Sequence, residues 1–366
     1  VRYDHVLPVE LENNGSIVNL KIGYNTGENP FTAAQRFIDA HMLPQYHLSQ
    51  IADYIQQRTG SASGGAPMLG DASAMAPQPT ATTGVPMVSF QHIPAKHYLS
   101  FELQAKSAAT TMDKMKAKLT EFNKLSESEL ERVSALMDTI KATSRYHSSK
   151  VDDVLILKDM LNTLEPAQTF PALDLARLTV LHPDAANAKH YTAWNEIFQK
   201  VVSLFSDAAS KEGPAIPMLS FRLFANAFKG GSGAQKALMP LLDTVLHVCV
   251  KPHITSSNKN VRLALTTFLY NMAFCGKITA APSTSIPIEL LINTISEVLS
   301  TPVYKQYEEA CIVRSLQALG TLCLTYPAET KATANGLFMA SKVEPAASPH
   351  SETAKAVAKE VYNVIQ

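Results

Sequence analysis

Four arginines stand inside otherwise apolar text. Arg177 lies in FPALDLARLTVLHP (170–183), Arg222 in SFRLFANAF (220–228), Arg262 in NVRLALTTFLYNMAF (260–274) and Arg314 in ACIVRSLQALGTL (310–322). A guanidinium offers a rigid fork of donors matched to carboxylate or phosphate, and a buried one left unpaired is costly. The chemistry on offer is recognition of an anion, not bond making. Taken singly, each arginine is as readily a snorkelling or ion-paired group. Arg262 suits that ordinary reading best, because it follows Asn258-Lys259-Asn260 at the start of its helix. The four are spaced by 45, 40 and 52 residues, near the unit length of armadillo and HEAT solenoids, about 40–47 residues. One arginine per unit would form a row on the surface such a solenoid lines with successive helices, facing a groove that receives a ligand.

The patterns of catalysis are missing. Gly230-Gly231-Ser232-Gly233 is not followed by the Lys-Ser/Thr of a phosphate loop, no G-x-G-x-x-G exists, and the stretch reads as a helix stop and turn. His247 and Cys249 are two apart on one helix and so face apart, a poor base and nucleophile. The eleven histidines include no H-x-x-x-H and no Cys/His cluster, so neither an enzyme, a cofactor nor a bound metal is expected. Cys249, Cys275, Cys311 and Cys323 form no C-x-x-C and lie in apolar helical text. They read as free buried thiols, which suits a reducing cytosol or nucleus. Lys+Arg and Asp+Glu number 32 each, a balance unlike that of a protein holding nucleic acid by bulk charge. No run of 18 apolar residues exists to span a membrane. The start at Val1, with no signal-like stretch, suggests a fragment of a longer protein.

Three compositional zones must position these residues. In residues 1–59, VLPVEL and SIVNLKIGY flank Asn13-Asn14-Gly15. Val18, Leu20, Ile22 and Tyr24 alternate with polar or small residues, which predicts a β-hairpin. Two short helices follow. The first opens at Asn29-Pro30 and carries a Phe31–Ala34–Ile38 stripe; the second carries Leu48, Ile51 and Ile55 and stops at Gly60. Residues 60–87 are nearly all Gly, Ala, Ser, Thr and Pro, with Asp71 the only charge; such text cannot bury enough surface to order itself and is expected to be a flexible linker of about 30 Å reach. Residues 88–366 read as helical throughout. A capping box at Ser126 and Glu129 opens one helix, QKALMPLLDTVLHVCV (235–250) reads as another, and Pro or Gly falls between the helices.

Two sets of motifs carry a family resemblance. NPFTAAQRFIDAHMLPQYHLSQIADYIQQRTG, with the hairpin before it, resembles the PFU domain of the phospholipase-activating protein (PLAA) family. HIPAK (92–96), FPALDLARLTVLHP, LSFRLFANAFKGGSGAQ, SNKNVRLALTTFLYNMAF and EACIVRSLQALGTL resemble that family's PUL domain. The resemblance implies a mainly α chain: an armadillo-like helical solenoid (PUL, 88–366) preceded by a small α+β module (PFU, 1–59) and the 60–87 linker. The family's usual WD-repeat propeller is absent from this sequence, and the small-residue linker and alanine-rich helices suggest a fungal member.

In function it implies an adaptor, cytoplasmic and nuclear, whose PFU binds ubiquitin. Its PUL would bind the acidic, aromatic-ended C-terminal tail of the AAA segregase valosin-containing protein. On this reading Arg177, Arg222 and Arg314 meet the tail's carboxylates. Asn226 and Asn271 hydrogen-bond its backbone, and Lys259, Asn260 and Arg262 contribute from a neighbouring loop. Phe31, Phe37, Leu48 and Tyr54 are the candidate ubiquitin contacts; Phe37 and Tyr54 lie off the two stripes, which marks them as surface groups. The alternative is a generic armadillo-type scaffold for another acidic or extended peptide.

Overall fold

The computed structural model describes residues 3–13, 16–26, 28, 30–41, 48–59, 90–103, 105–142, 149–206, 213–279 and 285–366. The expected turn at Asn14-Gly15, the capping Asn29, the stop at Gly60 and the linker 60–87 lie outside the described residues. The chain divides into two compact units, one built mainly from residues before 88 and one from those after.

In the first unit, strands β1 (His5–Asn13) and β2 (Ser16–Tyr24) pair antiparallel, in register from His5 opposite Tyr24 to Asn13 opposite Ser16. The alternation in SIVNLKIGY does what period two requires: Ile22 and Tyr24 are fully buried. They meet helices α1 (Pro30–His41) and α2 (Leu48–Thr59), whose Ala33, Ala34, Phe37, Ile38, Ile51, Ala52 and Ile55 complete a small core. Arg36 ties helix to hairpin, donating to Glu28 at 2.6 Å and to the Gly23 carbonyl at 2.8 Å.

The second unit is helical, with no strand among its described residues. It opens with α3 (Ala105–Phe122), a polar helix that sequence reading passes over, and α4 (Glu127–Ala142). The Ser126 capping box is present: the Ser126 amide donates to Glu129 at 2.8 Å and the Glu129 amide to Ser126 Oγ at 3.3 Å. Five helices then form a central row, each packed on the next: α6 (Phe170–Thr179), α8 (Ala215–Gly230), α11 (Lys259–Thr279), α13 (Glu309–Thr325) and α16 (Glu352–Ile365). Around them lie α5 (Leu155–Thr163), α7 (Tyr191–Leu204), α9 (Ser232–Leu238), α12 (Ile288–Val298), α14 (Pro327–Gly336) and α15 (Met339–Ala347). The helix expected over 235–250 is broken. After α9 come a 3-10 turn, the single turn α10 (Leu242–Thr244) and a π turn at Val245–Val250. Pro240, without an N–H, cannot continue the α-helical ladder there.

The central row is covered lengthwise by the chain itself. Residues 90–103, expected to be helical, form no helix. They run as a strap from the last helix of the row to the first. At α16 the Glu360 carboxylate accepts from the Gln91, His92 and Ile93 amides at 2.7, 2.8 and 3.1 Å. At α13 the Ala95 amide donates to Thr321 Oγ1 at 2.7 Å, and Gln317 donates to the His92 carbonyl at 3.2 Å. At α11 the Lys277 ammonium donates to the Ala95 carbonyl at 3.0 Å. Ile93 is 1% exposed and lies so close to α13 that a Cβ at Gly320 would come within 2.7 Å of its Cγ2; the glycine makes room for the strap.

Glu360 satisfies three strap donors at once, so its loss leaves them without their partner. Glu360→Ala is expected to lower stability by about 1–3 kcal/mol, read as a lower urea midpoint in the full chain.

Candidate peptide site on the central helix row

The same row carries the arginines, and each is held by a different chemistry. Arg177, 7% exposed on α6, donates from Nε to Asp174 at 2.5 Å and from Nη1 to the Phe101 carbonyl of the strap at 2.8 Å. Arg262, 6% exposed at the start of α11, donates to Glu308 at 2.5 and 3.2 Å and to the Ser256 carbonyl at 2.8 Å, and lies over the Tyr307 ring. Both charges are answered by carboxylates. For both this corrects the expectation of an open ligand contact: Arg177 is taken up by Asp174 and the strap, and the Arg262 guanidinium locks α11 to the start of α13. Lys259 and Asn260 stay exposed at the α11 N-terminus.

Arg222 and Arg314 differ. Neither forms an ion pair among the described residues. Arg222, partly buried on α8, lies over the Phe101 ring at 5.0 Å, and its Nε is buried without a hydrogen-bond partner. Burial, with repulsion from Arg177 added and attraction to Asp174 only partly offsetting them, makes its charged form less favourable than usual. Arg314, partly buried on α13, donates to Thr267 Oγ1 at 2.6 Å and more distantly to the Leu263 carbonyl at 3.4 Å, both neutral oxygens of α11. Burial likewise disfavours its charge. These are two desolvated cations that a carboxylate would relieve.

Asn226 and Asn271 grip extended backbone, as their type predicts, but the backbone is the strap's. Asn226 accepts from the Phe101 amide at 2.8 Å and donates to the Phe101 carbonyl at 3.1 Å and the Arg177 carbonyl at 2.7 Å. One repeat later Asn271 accepts from the Leu99 amide at 2.9 Å and donates to the Leu99 carbonyl at 2.7 Å and the Ala225 carbonyl at 2.8 Å. This corrects the expectation that both amides await a visiting peptide. Each serves alternate residues of the strap and a carbonyl of the preceding helix. Arg222 lies one turn N-terminal of Asn226, and Thr267, the partner of Arg314, one turn N-terminal of Asn271. The strap fills the lane of the asparagines, and Arg222 and Arg314 lie beside it, in no ion pair among the described residues.

In the first unit the candidate ubiquitin contacts separate. Phe31 is 44% exposed. Phe37 is 5% exposed and belongs to the core, against its reading as a surface group; α1 buries a face wide enough to take both Phe37 and Ile38. Tyr54 is partly buried, with its hydroxyl on the Pro8 carbonyl at 2.6 Å and its ring under Arg58. Leu48 begins α2, and its side chain lies outside the described residues. Val6, 54% exposed on β1, is an apolar surface residue that sequence reading missed; the alternation of β1, with His5 and Leu7 less exposed, points to it. No helix is long and apolar enough to cross a membrane, and no group of three or more His, Cys, Asp or Glu is placed to hold a metal ion, among the described residues.

The contrast between arginines is measurable. Removing a paired buried charge strands its partner, whereas replacing an unpaired one with an apolar chain of similar length does not. Arg177→Met is expected to cost about 2–4 kcal/mol in urea unfolding, while Arg222→Met leaves stability unchanged or raised.

Comparison with known proteins agrees with this architecture. The PUL domain family matches residues 93–361, and the PFU family, described as PLAA family ubiquitin binding, matches residues 1–63. Ubiquitin homeostasis protein lub1 of Schizosaccharomyces pombe is 24% identical over 328 residues, covering 88% of this chain; the chain spans 41% of that protein's length. The crystal structure of a PFU–PUL domain pair of Saccharomyces cerevisiae Doa1/Ufd3 is similar in fold, with a TM-score of 0.50 at 17% identity over 100% of this chain and 97% of that one. The chain thus belongs to the PLAA family, with a PFU domain followed by the helical solenoid of a PUL domain.

Proposed function

We propose that the chain is a non-catalytic adaptor of the ubiquitin system. In this reading the PFU domain binds ubiquitin and the PUL domain binds the acidic C-terminal tail of the AAA segregase valosin-containing protein. The PFU family description and the relative's role in ubiquitin homeostasis support the first half. The observation that carries the second is the pair Arg222 and Arg314, desolvated, beside the strap and in no ion pair among the described residues. Two unpaired guanidiniums on separate helices suit an extended acidic chain better than one compact anion. Holding ubiquitin on one domain and the segregase on the other raises the effective concentration of a ubiquitylated client at the segregase.

Calorimetric titration of the full chain with the segregase tail peptide tests the PUL half. Arg222→Ala with Arg314→Ala is expected to weaken binding at least tenfold, and unchanged affinity would reject the site. For the PFU half, NMR titration with ubiquitin is expected to shift resonances around Phe31 and Val6. Phe31→Ala should weaken binding with little loss of stability. Phe37→Ala should cost about 3–5 kcal/mol of stability in that unit. Wild-type ubiquitin binding that survives Phe31→Ala intact would contradict the assignment.

A further inference from the structure

Arg222 poses a specific problem. A binding arginine must be held in place, yet the usual way of holding one, a carboxylate, cancels the charge it is there to present. Arg177 and Arg262 are held in that way, by Asp174 and Glu308. Arg222 is held by the face of Phe101 at 5.0 Å. An aromatic face attracts a cation through its quadrupole and orients it while leaving its net charge intact. Phe101 is not a free ring. Its amide and carbonyl are both bonded to Asn226, one turn along the helix that carries Arg222, and its carbonyl also takes the Arg177 donor. The ring, the asparagine and the arginine form a closed circuit on α8, with Arg177 braced against it from α6.

We infer that the strap is a fixed wall of the anion-binding lane and that Phe101 is the positioning residue for Arg222. The inference rests on the reading of Arg222 as an anion-binding group. The strap's attachment argues against its being a displaceable plug. Four hydrogen bonds from Asn226 and Asn271, three amides on Glu360, and contacts from Thr321, Gln317, Lys277 and Arg177 hold it. Ile93 and Ala95 of the strap are themselves each 1% exposed. An acidic peptide enters beside the strap, with Phe101 setting the direction in which Arg222 points.

The test uses the full chain and a synthetic acidic peptide with an aromatic residue near its C-terminus. Phe101→Leu keeps apolar bulk and both backbone bonds but removes the π face. It is expected to weaken peptide binding three- to tenfold at unchanged melting temperature, and Phe101→Tyr is expected to restore it. The Arg222 Nε–H resonance, displaced by the ring current in the wild type and in Phe101→Tyr, should move in Phe101→Leu. If the leucine variant does not fold, Phe101→Met replaces it. Arg222→Ala separates the two levels of the argument. If it weakens binding while Phe101→Leu does not, the positioning role is overturned and the anion site stands. If Arg222→Ala itself has no effect, the anion site fails and the positioning role with it. Tighter binding in Phe101→Leu would show the strap to be a competitor, and overturns the inference.

Discussion

The grip of side-chain amides on the strap's backbone is the constraint on which the rest of the PUL unit depends. A primary amide carries a donor and an acceptor side by side and can satisfy both polar groups of one extended residue. Asn226 does this for Phe101 and Asn271 for Leu99, and each spends its second N–H on a carbonyl of the helix before it. The bonds therefore stitch neighbouring helices as well as hold the strap. A buried backbone without such partners would be strongly penalised, so segment and row specify each other. The grip reads backbone rather than side chains, and it recurs one repeat along because the helices recur.

The arrangement of charge follows. One turn toward the helix N-termini from the asparagines, Arg222 is held by a ring and Arg314 by neutral oxygens, and these are the groups proposed to meet a partner. Arg177 and Arg262, by contrast, are paired with carboxylates. The distinction gives Arg177 and Arg262 a part in holding the fold and leaves Arg222 and Arg314 as the groups proposed to meet a ligand; in sequence only Arg262, at a helix start, stands apart.

Much of this was legible before any coordinates. The hairpin came from strict alternation around Asn13-Asn14-Gly15, the solenoid from helix after helix punctuated by Pro and Gly, and the row from an arginine recurring at the length of one repeat. What stayed hidden were facts fixed by distant partners. Glu360 meets Gln91 across 269 positions of sequence, and no local pattern in residues 90–103 announces that they will lie extended on five helices. The asparagines showed the right chemistry without showing whose backbone they hold. Phe37 lies outside the Phe31–Ala34–Ile38 stripe yet is buried, because the small unit needs a wider face of α1 than one stripe for its core.

The central claim is that an acidic partner occupies the lane beside the strap and leaves the strap in place. Amide hydrogen exchange of Leu99 and Phe101, followed as the segregase tail peptide is added, tests it directly. Protection of both amides should hold or rise while the Arg222 and Arg314 side-chain resonances shift. Loss of protection at Leu99 and Phe101 on saturation would mean that the peptide takes the strap's lane, and would contradict the account.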